Sequence, residues 1–179
     1  MNLTPNALSF IALTNEYCQV MERTRETSRE EFVRTMLKLL PRIYMAATDL
    51  DATVIDDDDS YIPSFLEEEY YESVRRNVET LLGPDDVYLE VFEEDMKYSD
   101  TPIAASIAEG LCDIFQVLYN FISTVRELAP EEMAAPLAAV KDDFGAYWSR
   151  PLCNVLRALN HVRYNSSEDE EDDATDMVD

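Results

Sequence analysis

Apolar residues recur along this chain every three or four positions, which is the period of an α-helix with one buried face. Thr4-Pro5 opens the first such segment, with proline where a helix needs no N–H. Phe10, Leu13, Tyr17 and Val20 follow, giving a helix over about 5–24. Ser28 with Glu31 forms a capping box ahead of Val33, Met36, Leu40, Ile43, Ala47 and Leu50. Pro41 falls inside this pattern, which resumes in phase, so a kink is expected rather than an end. Asp56–Asp59 and Pro63 mark an exposed loop. A third helix over about 64–82 aligns Tyr71, Val74, Val78 and Leu81, and Leu82-Gly83-Pro84 stops it. Asp85 and Asp86 then read as the start of a shorter helix with Leu89, Phe92 and Met96 inward.

The longest pattern follows. Thr101-Pro102 reads as its start, and Ala104, Ile107, Leu111, Ile114, Leu118, Phe121, Val125 and Leu128 form its seam. Ala108, Phe115 and Ile122 widen the seam, so this helix is expected to touch more than one neighbour. After Ala129-Pro130 a last helix runs to about Tyr164. Gly145 and Pro151 predict a bend between its halves. All regular segments read as helical. The fold expected is all-α, a single-domain antiparallel bundle of five to seven helices over 1–164, with a disordered acidic tail over 165–179.

Charge changes the picture most. Asp and Glu number 38 against 14 Lys and Arg, a formal net charge of −24. Eight of those acids lie in Asn165–Asp179, so the remainder is still strongly acidic. Such a surface repels phosphate backbones and anionic lipid, which argues against nucleic acid and membranes as partners. It suits a basic protein segment, a divalent cation, or solubility alone. Three glycines leave no Gly-rich phosphate loop. Cys18, Cys112 and Cys153 are far apart, follow no zinc-ligand spacing and read as buried free thiols of a cytoplasmic protein.

Three stretches carry a resemblance. YLEVFEEDMKYSDTPIAASIAEGLCDIFQ from Tyr88, EFVRTMLKLLPRIYMAA over Glu31–Ala47 and YWSRPLCNVLRALNHVRYN over Tyr147–Asn165 resemble an uncharacterised bacterial family, domain of unknown function 5063. The resemblance implies a small cytoplasmic helical protein of Bacteroidetes-type bacteria. It brings no established activity and no catalytic residues.

The candidate chemistry rests on carboxylates. Glu68, Glu69 and Glu72 form EExxE, and Glu90 with Glu93 forms ExxE, each expected on one helix face. Facing pairs of this kind could hold Mg²⁺ through oxygen ligands. They loosely resemble all-helical nucleoside triphosphate pyrophosphohydrolases, whose second motif is ExxD and whose sites are richer in Lys and Arg. A solvated helix face accounts for the same residues. Glu109 and Asp113, one turn apart, are further weak metal candidates. His161 is the sole histidine, with Ala158 three residues before it, which excludes the usual di-iron pattern. It reads as partly buried beside an acid. Tyr88, Glu94, Asp95, Tyr98, Asp100 and Trp148 combine acids with amphipathic aromatics and are the candidates for a partner surface. The leading expectation is a non-enzymatic cytoplasmic interaction or adaptor protein needing no cofactor. The alternative is a Mg²⁺-dependent all-α phosphohydrolase.

Overall fold

Helix α4, Ile107–Val125, is covered by α1 (Pro5–Glu22), α3 (Glu68–Leu82), α5 (Ala134–Asp143) and α6 (Ser149–Asn165). Helix α2 (Arg29–Thr48) closes the bundle by packing along α1 and α6. The computed structural model describes residues 3–51, 61–90, 97–98 and 101–165. Among these the architecture is the expected all-α bundle around one continuous core. The acidic tail and the Asp56–Asp59 loop lie outside the described residues. No described helix is long and apolar enough to cross a membrane.

The caps that the sequence advertises for the first two helices are made. Thr4 Oγ1 accepts from Ala7 N at 3.1 Å, and Ser28 Oγ accepts from Glu31 N at 3.2 Å. Helix α2 runs through Pro41. Its buried face, from Phe32 to Ala47, supplies the long-range packing that offsets the missing backbone bond. On α3 the fully buried positions are Val74, Val78 and Leu82, while Tyr71 and Leu81 are half-buried at the core's edge. On α4 the seam is buried from Ile107 to Val125, and Ala108, Phe115 and Ile122 widen it.

The structure departs from the sequence reading between α3 and α4. A short 3₁₀ turn, Gly83–Asp86, leads into strand β1, Val87–Leu89, where a helix was expected. β1 pairs antiparallel with β2, Ala104–Ser106, with Val87 opposite Ser106 and Leu89 opposite Ala104. Leu89 is therefore exposed rather than inward, and Phe92 and Met96 lie outside the described residues. The expected start of the long helix at Thr101-Pro102 is displaced to Ile107, because Ser106 caps it by accepting from Glu109 N at 3.1 Å. Ser106-Ile107-Ala108-Glu109 is itself of the capping-box form, and it wins over Thr-Pro.

A buried acid decides that competition. Asp86 is 5% exposed, and its two oxygens accept from Ala108 N and Ser106 Oγ, both at 2.7 Å. Acids do belong at a positive helix end, but the helix that Asp86 serves is α4, not one of its own. The same segment is fixed from outside by an Arg29–Asp85 ion pair.

The last helix breaks where Gly145 and Pro151 suggest. Phe144–Trp148 forms a π-turn between α5 and α6, with Ser149 N donating to Phe144 O. Pro151 has no N–H to return to the Tyr147 carbonyl, so the α register is not enforced there. Helices α4 and α6 approach closely: a Cβ built on Gly110 would stand 2.5 Å from Val155 Cγ1.

Two changes test this account. Gly110→Ala is expected to lose about 1–3 kcal/mol to overpacking, partly offset by about 1 kcal/mol of helix propensity. Chemical denaturation of Gly110→Ala, Val155→Ala and the double variant should give a double loss smaller than the sum of the singles. Asp86→Ala strands the buried Ala108 N–H and is expected to cost about 2–4 kcal/mol, with Asp86→Asn between it and wild type by thermal melting.

Candidate functional site: an acidic cleft beside the strand pair

Where β2, the first turns of α4, the π-turn and the start of α6 meet, they leave a cleft of about 780 Å³. The elements leave it open for local reasons. Ala104, Ala105, Gly110, Gly145 and Ala146 contribute almost no side-chain bulk to its walls. Glu90, Glu109 and Asp113 bring carboxylates from the end of β1 and from α4. Arg150 is the single basic side chain among its described lining residues.

Two of the three acids, Glu90 and Asp113, are held by tyrosines. Tyr88 OH donates to Glu90 Oε1 at 2.9 Å, and Asn154 Nδ2 reaches the same carboxylate at 3.4 and 3.5 Å. Tyr71 OH, from α3, donates to Asp113 Oδ1 at 2.7 Å. These bonds fix the carboxylates and leave the second Asp113 oxygen without a side-chain donor among the described residues. Burial pushes the Tyr71 hydroxyl well above its ordinary range, and the bond to Asp113 and its charge add to the shift. Tyr88 moves the same way through burial, then through Glu90, with Arg157 opposing. Tyr147 is 55% exposed at the cleft wall, and its hydroxyl is raised by partial desolvation and by Asp113.

Of the residues expected at a metal site, Glu90, Glu109 and Asp113 come together in the cleft. Glu68, Glu69 and Glu72 do not line it: they lie on α3, with Glu68 and Glu69 exposed. Glu72 pairs with Arg75 at 2.7 Å, and that hydrogen bond lowers its pKa. Arg75 also holds Glu79 at 2.8 Å. Glu90 follows a strand, so the single helical face expected for ExxE is not formed there, and Glu93 lies outside the described residues. Among the described residues no group of three or more His, Cys, Asp and Glu is placed to hold a metal ion.

The partner-surface candidates divide similarly. Tyr88 lines the cleft and Tyr98 is 92% exposed, while Glu94, Asp95 and Asp100 lie outside the described residues. Trp148 needs correcting. It is fully buried, donates from Nε1 to Val140 O at 3.1 Å and stacks edge-on against Phe144 at 4.5 Å. Its indole is core, so it offers nothing to a partner. Cys153 is likewise exposed, not buried, and His161 is exposed rather than partly buried. Both sit on the outer side of α6, whose buried face is Leu152, Val155, Ala158, Leu159 and Val162. Cys18 and Cys112 are buried as expected, and desolvation pushes both thiols up to about 12. The sequence reading missed Ser106, Arg150 and Asn154 as wall residues; the signal that pointed nearest was the bend at Gly145 and Pro151.

A family model described as a domain of unknown function (DUF5063) matches residues 1–165. The fold is similar to the crystal structure of protein BF1032 from Bacteroides fragilis, at 30% identity and a TM-score of 0.77. That match covers 91% of this chain and 95% of the other. No curated protein matches.

The tyrosine contacts carry a pH expectation. Tyr71 and Tyr88 have folded pKa values above their unfolded value of about 10. Their protonated forms therefore add stability that is complete below about pH 10 and is lost as pH rises beyond it. Stability measured by denaturation should fall above about pH 10, and Tyr71→Phe should flatten that fall.

Proposed function

The chain belongs to the DUF5063 family, and from that premise we propose that it is a non-catalytic cytoplasmic interaction protein whose acidic cleft receives a basic segment of a partner protein. The observation that carries the reading is the convergence of Glu90, Glu109 and Asp113 on one open cleft in a chain of net charge −24. Glu90 and Asp113, fixed by tyrosine hydroxyls, present negative charge that is already ordered. A lysine or arginine entering the cleft gains charge-assisted hydrogen bonds. Tyr88 and Tyr147 offer ring faces for its aliphatic stem and its charge. The field of the whole molecule speeds such encounters and makes them sensitive to salt. Cytoplasmic placement is supported by three widely separated cysteines, none of them in a disulfide.

The test is the binding of a lysine-rich decapeptide to the full chain at low and high salt. The combined Glu90→Gln, Glu109→Gln and Asp113→Asn variant is expected to bind at least about tenfold more weakly and with a shallower salt dependence. The Glu68→Gln, Glu69→Gln and Glu72→Gln variant, which removes equal charge from α3, should bind almost as wild type does. Equal weakening in both would mean that charge acts without a site, and the proposal would fail.

A further inference from the structure

From the pairing of β1 and β2, we infer that the basic segment binds as a third strand along the outer edge of β2. The inference rests on the reading that the cleft receives a basic protein segment, and it specifies how. Glu90 N donates to Ile103 O at 2.8 Å, which makes this couple a hydrogen-bonded pair of the ladder. In an antiparallel ladder such pairs alternate, so Tyr88 with Ala105 is the next one. The couples between them, Leu89 with Ala104 and Val87 with Ser106, turn their backbone groups outward.

The two outer edges are not equivalent. On β2, Ala104 presents N–H and C=O, and Ser106 presents N–H, along the wall of the cleft. Ala104 is exposed, and no backbone bond outside the strand pair reaches it among the described residues. Its side chain and that of Ala105 are too small to cover the edge. On β1 the outward residues Val87 and Leu89 do not line the cleft. An unpaired strand edge is a template for another strand, and proteins that do not use one usually block it.

The spacing of the acids fits an extended guest. Alternate side chains of a strand recur every 6.4–6.8 Å or so. Glu109 and Asp113 are separated by one helical turn, about 6 Å along the axis. Two basic residues at i and i+2 on one face of the guest can therefore meet these two carboxylates. The occupant is thus an extended segment with Lys or Arg at every second position, held by backbone bonds to β2 and by charge to α4. The residues between should be small or aliphatic, facing away from the carboxylates.

The probe is a decapeptide of alternating lysine and valine, compared with two N-methylated forms that keep every charge. One carries methyl groups on the odd amides and the other on the even amides, so only one set lies on the pairing edge. One methylated peptide is expected to bind the full chain at least about tenfold more weakly than the parent, and the other within about threefold of it. The Ala104 amide should also exchange with solvent at least about tenfold more slowly in the complex. Equal affinities of the two methylated peptides, whether retained or both reduced, would overturn strand addition. Equal, retained and salt-sensitive binding would leave the charge reading intact. Failure of the parent peptide to bind at low salt would overturn both.

Discussion

A single buried carboxylate organises the half of the molecule that holds the acidic cleft. Asp86 accepts one hydrogen bond from the backbone of α4 and one from the serine that caps α4. Both donors stand at the positive end of the most deeply buried helix, where a negative charge is best placed. Because β1 follows Asp86 directly and β2 precedes Ile107 directly, the same two bonds bring the strands into register. The strand pair, the start of α4 and the cleft wall are thus one construction. Gly110 completes it by letting α6 approach α4 closely enough to carry the π-turn to the other side of the cleft.

Most of the bundle was legible because helices announce themselves repeatedly. Phe10 to Met21, Phe32 to Ala47 and Ile107 to Val125 each hold a long apolar period, and Thr4 and Ser28 are caps with local partners. The strands were not legible, for a physical reason. Val87-Tyr88-Leu89 and Ala104-Ala105-Ser106 are three residues each, too short to show an alternation, and they are held by each other and by Asp86. Propensity favours helix for Ala and Leu, and only the tertiary pairing overrides it. Acids near a helix start are legible as a type of interaction. Which helix they serve is not, because the partner of Asp86 lies 22 residues downstream.

The site was legible in pieces. Glu109 and Asp113 were visible as a pair because they share a helix, and Tyr88 as an aromatic among acids. That Glu90 joins them, while Glu68, Glu69 and Glu72 do not, depends on a chain reversal that no local pattern encodes. Trp148 shows the opposite failure. An amphipathic aromatic beside an exposed tyrosine looks like surface, yet the π-turn rotates Tyr147 out and packs Trp148 on Phe144 and Phe10. The turn therefore separates two neighbouring aromatics into a wall and a core.

The Asp86 link also has a kinetic meaning. Helices α1 and α2 carry caps that sit within three residues of what they cap. The buried start of α4 also needs an acceptor that reaches it only after the chain between Asp86 and Ser106 has looped back. Closing such a loop costs entropy before any packing returns it. The first turn of α4 thus combines a local cap from Ser106 with a contact that depends on chain closure. The cleft wall at the start of α4 therefore shares the entropic cost of that closure.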